Sequence, residues 1–114
     1  MHCIPHALIR THSGEDIALA FHITNTAGAA LDISDAAAVY KIARRAGDAA
    51  LLVKTQEDGI TLAAATATVT LNTAELAAEG QPLLGDFWGQ LTLTLNDMTQ
   101  VVAEGPLSVA PVIA

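Results

Sequence analysis

Four histidines fall within the first 22 residues, His2, His6, His12 and His22, and Cys3 stands next to the first of them. His2-Cys3 with His6 offers a thiolate and imidazoles at a spacing that suits zinc. A structural zinc needs four fixed ligands, however, and the one thiol of the chain lies in a terminal stretch of the kind that frays. His6 and His12 sharing a face of an extended segment is equally what an exposed strand presents. The histidines therefore read as exposed or partner-facing, and no metal and no cofactor is expected. Carboxylates come as Glu15-Asp16, Asp32 with Asp35, and Glu57-Asp58. Paired acids cleave glycosides when they face each other across a cleft, but Asp also populates turns because it bonds its own backbone there. All three pairs fall at turns or strand ends, and none has the Asp-x-Asp-x-Asp spacing of a calcium loop. Ser13, Ser34 and Ser108 lack a Gly-x-Ser-x-Gly setting, Cys3 has no fixed base beside it, and no glycine-rich phosphate loop occurs. No catalytic residue is assigned, and an enzyme is the least favoured class.

The remaining chemistry-bearing side chains are the aromatics, Phe21, Tyr40, Phe87 and Trp88. They are too few for a nucleic-acid stacking surface. Their roles depend on the strands that carry them. Ile17, Leu19, Phe21 and Ile23 alternate with polar or small residues, as do Phe87, Leu91, Leu93 and Leu95, so Phe21 and Phe87 face a core. Tyr40 and Trp88 fall out of phase with them and read either as core residues of a second sheet or as interface anchors, a role in which Trp and Tyr are enriched. Val112 and Ile113 add an apolar C-terminal segment that burial against a neighbour would explain. The candidate interface residues are thus Trp88, Tyr40, Val112 and Ile113.

The same period-two grammar runs through Ala37–Ala43, Leu51–Thr55, Ile60–Leu62, Thr66–Leu71 and Val101–Val109. Asn25-Thr26-Ala27-Gly28, Arg44–Asp48, Gln56–Gly59 and Asn96-Asp97 serve as turns, and Leu31–Asp35 as a short extended piece. Alternation breaks at Asn72–Gly80, where a capping Asn or Thr, helix-forming Ala, Glu and Leu, and a terminal Gly predict one or two helical turns. An all-helical chain built on alanine, for example over Ala36–Ala50, is the competing reading; Gly47 and the Val39-Tyr40 pair weigh against it. About seven or eight short strands with turns at roughly 8–12-residue intervals and one short helix predict an all-β, immunoglobulin-like antiparallel β-sandwich. No linker or repeat divides residues 1–114, so one domain is expected, with its core at about 12–111 and both terminal segments acting as docking arms. Pro5 and Pro111 mark those ends as edge or tail segments that stay out of the ladder.

Composition bounds the partners. In 114 residues, 52% are apolar and 15% charged, enough to bury a core and too apolar for disorder. Twelve acids against five bases leave a net charge of −7, which argues against nucleic-acid backbones and anionic membranes. No apolar run approaches the roughly 20 residues that span a bilayer, and the first residues lack a basic stretch followed by an apolar one, so neither a membrane span nor a secretory signal is expected. One cysteine excludes an internal disulfide framework.

The order of these signals carries a resemblance. Gly14-Glu15-Asp16 precedes the first long strand, Gly28 leads into Leu31-Asp32-Ile33-Ser34-Asp35-Ala36 and the next, and Gly59-Ile60 opens a hairpin. Val69-Thr70-Leu71 with Thr73-Ala74-Glu75-Leu76 follows, Gly85-Asp86-Phe87-Trp88 begins a long aromatic strand, and Glu104-Gly105-Pro106-Leu107-Ser108-Val109 ends the pattern. This resembles the small immunoglobulin-like domains of tailed bacteriophages, notably the N-terminal domain of baseplate upper proteins, over about His12 to Pro111. Departures are Ala36 after Ser34-Asp35, where the family often has Gly-Ala, and Gln81-Pro82-Leu83-Leu84, which looks inserted. The resemblance implies a non-enzymatic virion protein of the tail, baseplate or neck, made in the host cytoplasm, whose partners are other virion proteins and copies of itself. The alternatives are a capsid decoration protein of the same fold and a carbohydrate-binding sandwich module, the latter needing Trp88 and Tyr40 as an exposed platform.

Overall fold

Alternating apolar side chains make this chain fold as paired strands, because each segment has one face to bury and one to wet. The computed structural model describes residues 3–78 and 80–111. In chain order the strands are β1 (Ile4–Pro5), β2 (Ile9–His12), β3 (Asp16–His22), β4 (Ala37–Ala43), β5 (Leu52–Thr55) and β6 (Ile60–Ala63). They continue with β7 (Thr66–Asn72), β8 (Ala77–Ala78), β9 (Gln81–Pro82), β10 (Gly85–Leu95) and β11 (Met98–Ala110). Eight of them have four residues or more.

Two sheets make a β-sandwich. One has the order β1-β11-β10-β4-β5, with β2 joining β1 along the same edge of β11; the other is β3-β7-β6, and β8 with β9 forms a separate small hairpin. Leu19, Ile23, Val69, Leu71 and Ile60 of one sheet and its flank meet Tyr40, Ile42, Phe87, Leu91, Leu93, Leu107 and Val109 of the other in a continuous core. The β10–β11 ladder shifts register at a bulge in β11: Leu91 pairs with Ala103 but Thr92 pairs with Val101, leaving Val102 as the extra residue. Val102 and Ala103 are consequently both buried, and the in–out phase restarts with Glu104 outward and Gly105 inward.

Three differences from the sequence expectations have local causes. The sheets are not purely antiparallel, because β1 and β2 run parallel to β11, with Ile4 opposite Ala103 and Ile9 opposite Leu107. The N-terminal segment, expected as an edge or tail piece outside the ladder, therefore joins the ladder at a sheet edge, where Pro5 is tolerated because an edge strand needs only one side of its ladder. The helical turns expected over Asn72–Gly80 reduce to one 3-10 turn, Thr73–Glu75. It starts on a reciprocal cap: Asn72 Oδ1 accepts from Ala74 N at 2.8 Å, and Glu75 Oε2 accepts from Asn72 N at 2.9 Å. It stops at once because Leu76 leaves helical dihedrals (φ −79°, ψ 90°) and buries its side chain completely. Ala36–Ala50, the stretch that most favoured a helical reading, contains strand β4, whose Tyr40 and Ile42 supply more burial than alanine propensity can offset.

Two glycines of β10 and β11, Gly89 and Gly105, face each other in register on the inner side of the sheet. The gap they leave is filled by rings from elsewhere. A Cβ on Gly89 would overlap the Tyr40 hydroxyl, and a Cβ on Gly105 would overlap the His6 imidazole. Phe21 of β3 lies between those rings, 5.9 Å from each centroid. The slot thus ties the N-terminal edge, both central strands and the opposite sheet together.

A candidate docking cleft around Trp88

The inward phase of Phe87, Gly89 and Leu91 sends Trp88 to the outer face of the larger sheet. Its lateral neighbours there are Ala43 on β4 and Pro106 on β11. Both are short, so the half-buried indole stands between two hollows. The first, about 350 Å³, is bounded by Lys41 and Gln90 on the strands and by Arg45, Asp48 and Ala49 of the β4–β5 loop. The second, about 440 Å³, is lined by Leu8, Phe87, Pro106 and Arg44. The loop takes its shape from Gly47, at φ +90°, and from Asp48 N donating to Arg45 O at 3.1 Å. Arg44 is fixed: its guanidinium lies 4.3 Å from the Phe87 ring centroid and Nη1 donates to Leu84 O at 2.7 Å. Among the described residues, Lys41 and Arg45 form no ion pair, and the Trp88 indole N–H is covered without an acceptor. An aromatic centre with a cationic rim is the composition of a binding hot spot.

The other sequence-derived candidates separate widely. Tyr40 is completely buried, its ring pinned by Gly89 and Phe21; that corrects its assignment as an interface residue and removes the second ring of any two-ring sugar platform. Burial pushes its pKa up to about 12, and among the described residues its hydroxyl has no hydrogen-bond partner. Val112 and Ile113 lie outside the described residues. His6 is in the glycine slot, His12 pairs with Glu15 at 2.8 Å on the surface, and His22 is exposed. Among the described residues no three His, Cys, Asp or Glu side chains come together as a metal site, and no helix is long and apolar enough to cross a membrane.

The carboxylates are likewise dispersed. Asp32 accepts from Ser34 N and Oγ at 3.0 and 2.8 Å in a local turn, and these bonds lower its pKa. Asp16 accepts from Asn72 Nδ2. Asp58 joins Glu75 around Lys54, whose side chain is only 4% exposed; Nζ lies 3.1 Å from Asp58 Oδ1 and 2.8 Å from Glu75 Oε1. The Glu75 hydrogen bond chiefly raises the Lys54 pKa, and the same bond chiefly lowers that of Glu75. This triad clamps β5 to the 3-10 turn and faces away from the Trp88 cleft.

What the sequence did not disclose is the company Trp88 keeps. Arg44 and Arg45 read as a polar turn and Leu8 as part of a greasy arm; only the β4–β10–β11 register and the parallel N-terminal edge bring them to one place. No protein family and no curated protein matches the sequence.

Proposed function

We propose that this chain is a non-enzymatic structural module of a tailed bacteriophage or prophage particle, in the tail, baseplate or neck. In this reading it has an immunoglobulin-like fold and docks into a symmetric assembly through the outer face of its larger sheet. The observation that carries the reading is the strand order. A parallel N-terminal edge, β11, β10, β4 and β5 opposite β3, β7 and β6 follows the pattern in which the last, sixth, third and following strands of an immunoglobulin-type sandwich oppose the second, fifth and fourth. A buried aromatic on the third of these strands, Tyr40 here, is in keeping with that pattern. Four of the five motif glycines of the phage resemblance, Gly14, Gly28, Gly59 and Gly85, occupy positive φ, which gives those signals a physical basis as turns; the fifth, Gly105, lies within β11. The Trp88 cleft supplies a surface for protein contact.

The test is mass spectrometry of purified particles from the producing strain, with heads and tails separated, alongside negative-stain images of antibody-labelled particles. The reading expects the protein in many copies per tail or baseplate. Enrichment on heads would transfer it to capsid decoration, and absence from all particles would refute a virion role.

A further inference from the structure

The molecule is elongated, 46 × 26 × 24 Å, and its two ends differ in chemistry. The registers place Ala43, Gly85 and Val109 at one end of the larger sheet and Ala37 with the β10–β11 turn at the other. Four of the five basic residues, Arg10, Lys41, Arg44 and Arg45, lie on the half that holds the Trp88 cleft; the fifth, Lys54, is consumed by its ion pairs. The opposite end exposes Asp32, Asp35, Glu57 and Asp97 and has no Lys or Arg. That end also carries the most exposed large apolar side chain among the described residues, Met98, at 68%.

Met98 pairs with Leu95, which leaves Asn96 and Asp97 as a two-residue turn with both φ positive, 52° and 65°. The tip of this hairpin is therefore a rigid projection with one apolar and one acidic side chain. The cleft has the matching parts: an apolar hollow beside an indole, where Lys41, Arg44 and Arg45 outnumber the two acids of its walls, Asp48 and Asp86. Tip and cleft belong to the same hairpin but are separated by seven residues of extended strand, roughly 23 Å, so a tip cannot reach the cleft of its own molecule.

We propose that the Asn96–Asp97–Met98 tip of one copy seats in the Trp88 cleft of a second copy, with Met98 against the indole and Asp97 toward Arg45, joining copies head to tail. A thioether beside an indole is a favourable pairing, and the charges are complementary. The contact is heterologous, so it propagates into a ring or a filament rather than stopping at a two-fold dimer. It names the surface and partner for the docking read above, and rests on that reading for its place in a particle.

Two surface variants test it. Arg45→Glu reverses a charge of the cleft and breaks no ion pair among the described residues; Asp97→Gly with Met98→Ser spoils the tip while keeping a residue suited to positive φ. Circular dichroism and thermal melts establish that both fold. In sedimentation equilibrium at low salt, wild type gains mass with concentration, and each variant alone associates at least tenfold more weakly. Their equimolar mixture forms a one-to-one dimer and stops there, because one intact cleft meets one intact tip; added salt weakens it. A wild type that stays monomeric at millimolar concentration overturns the inference, as do variants that assemble like wild type or a mixture that does not dimerise. Finding the protein in particles although it is monomeric in solution would sink head-to-tail pairing and leave the virion reading standing. Head-to-tail assembly of a protein absent from particles would do the reverse.

Discussion

Gly89→Ala is the sharpest probe of how the sandwich is held together. The new methyl would overlap the Tyr40 hydroxyl and stand 2.7 Å from Tyr40 Cζ. Tyr40 has little room to yield, since it is fully buried and has the Phe21 ring 5.9 Å away. Forcing extra volume into a packed site costs about 1–3 kcal/mol. Against it stands a gain of about 0.4–1 kcal/mol from stiffening the unfolded chain. The expected net loss is about 1–2 kcal/mol, which lowers Tm by roughly 4–10 °C in a domain of this size. Tyr40→Phe removes a hydroxyl that is buried without a partner and is expected to leave stability within about 1 kcal/mol of wild type. Tyr40→Phe relieves the overlap with the hydroxyl but keeps the ring carbon 2.7 Å from the methyl, so in that background Gly89→Ala should lose less than it does alone without becoming neutral, a coupling of about 0.5 kcal/mol by double-mutant cycle. Urea titration followed by the fluorescence of Trp88, the one tryptophan, gives all four stabilities. Wild-type stability for Gly89→Ala, or an identical cost in both backgrounds, would refute the account of Gly89 as a slot for Tyr40.

Glu75→Gln is expected to cost about 1–2 kcal/mol at pH 7, because it weakens a charge-assisted bond to a nearly buried ammonium, with a discount for the partial exposure of Glu75. The Glu75 pKa lies below its ordinary value of 4.5, so its contribution is complete above pH 4.5 and is lost as pH falls through the lowered value. The gap between wild type and variant should close below pH 4.5 in acid denaturation curves, and a gap independent of pH would contradict the triad. Lys54, raised above 10.5, contributes below that pH and loses its contribution as pH rises through the raised value. Gly105→Ala should displace His6 and loosen the N-terminal edge at a cost of about 1–3 kcal/mol. Hydrogen exchange reads this at the His6 amide, which donates to Glu104 O at 2.9 Å, and unchanged protection there would dismiss the slot as the edge's anchor.

The parts legible in the sequence were those set by local period. Leu19 and Ile23 are buried with Ile17 and Phe21 packed against them, and Phe87, Leu91 and Leu93 share the inner face of β10 with Leu95 at its margin. Those positions obey alternation within a single strand, and Asn96-Asp97 is a turn by its own chemistry. Tyr40 stayed undecided between core and surface because phase within β4 does not say which face is inward until β10 is placed beside it. The pairing of the N-terminal edge was missed for a similar reason: its partner, β11, is distant in the chain, and parallel pairing leaves no hairpin signature. Trp88 was a candidate for core or contact by type alone, and the cleft around it depends on the fold of the β4–β5 loop and on Leu8 arriving from the far end of the chain.

That wide separation also shapes how the chain comes into being. Ile4 waits for Ala103 and Ile9 for Leu107, so the strand that covers the β11 flank leaves the ribosome long before its mate exists. The smaller sheet, β3 with β7 and β6, can assemble meanwhile, but its greasy side has no lid until β10 and β11 emerge. Such non-local closure slows folding and prolongs the exposure of sticky surface to other nascent chains. A net charge of −7 adds repulsion between copies of the polypeptide during that interval.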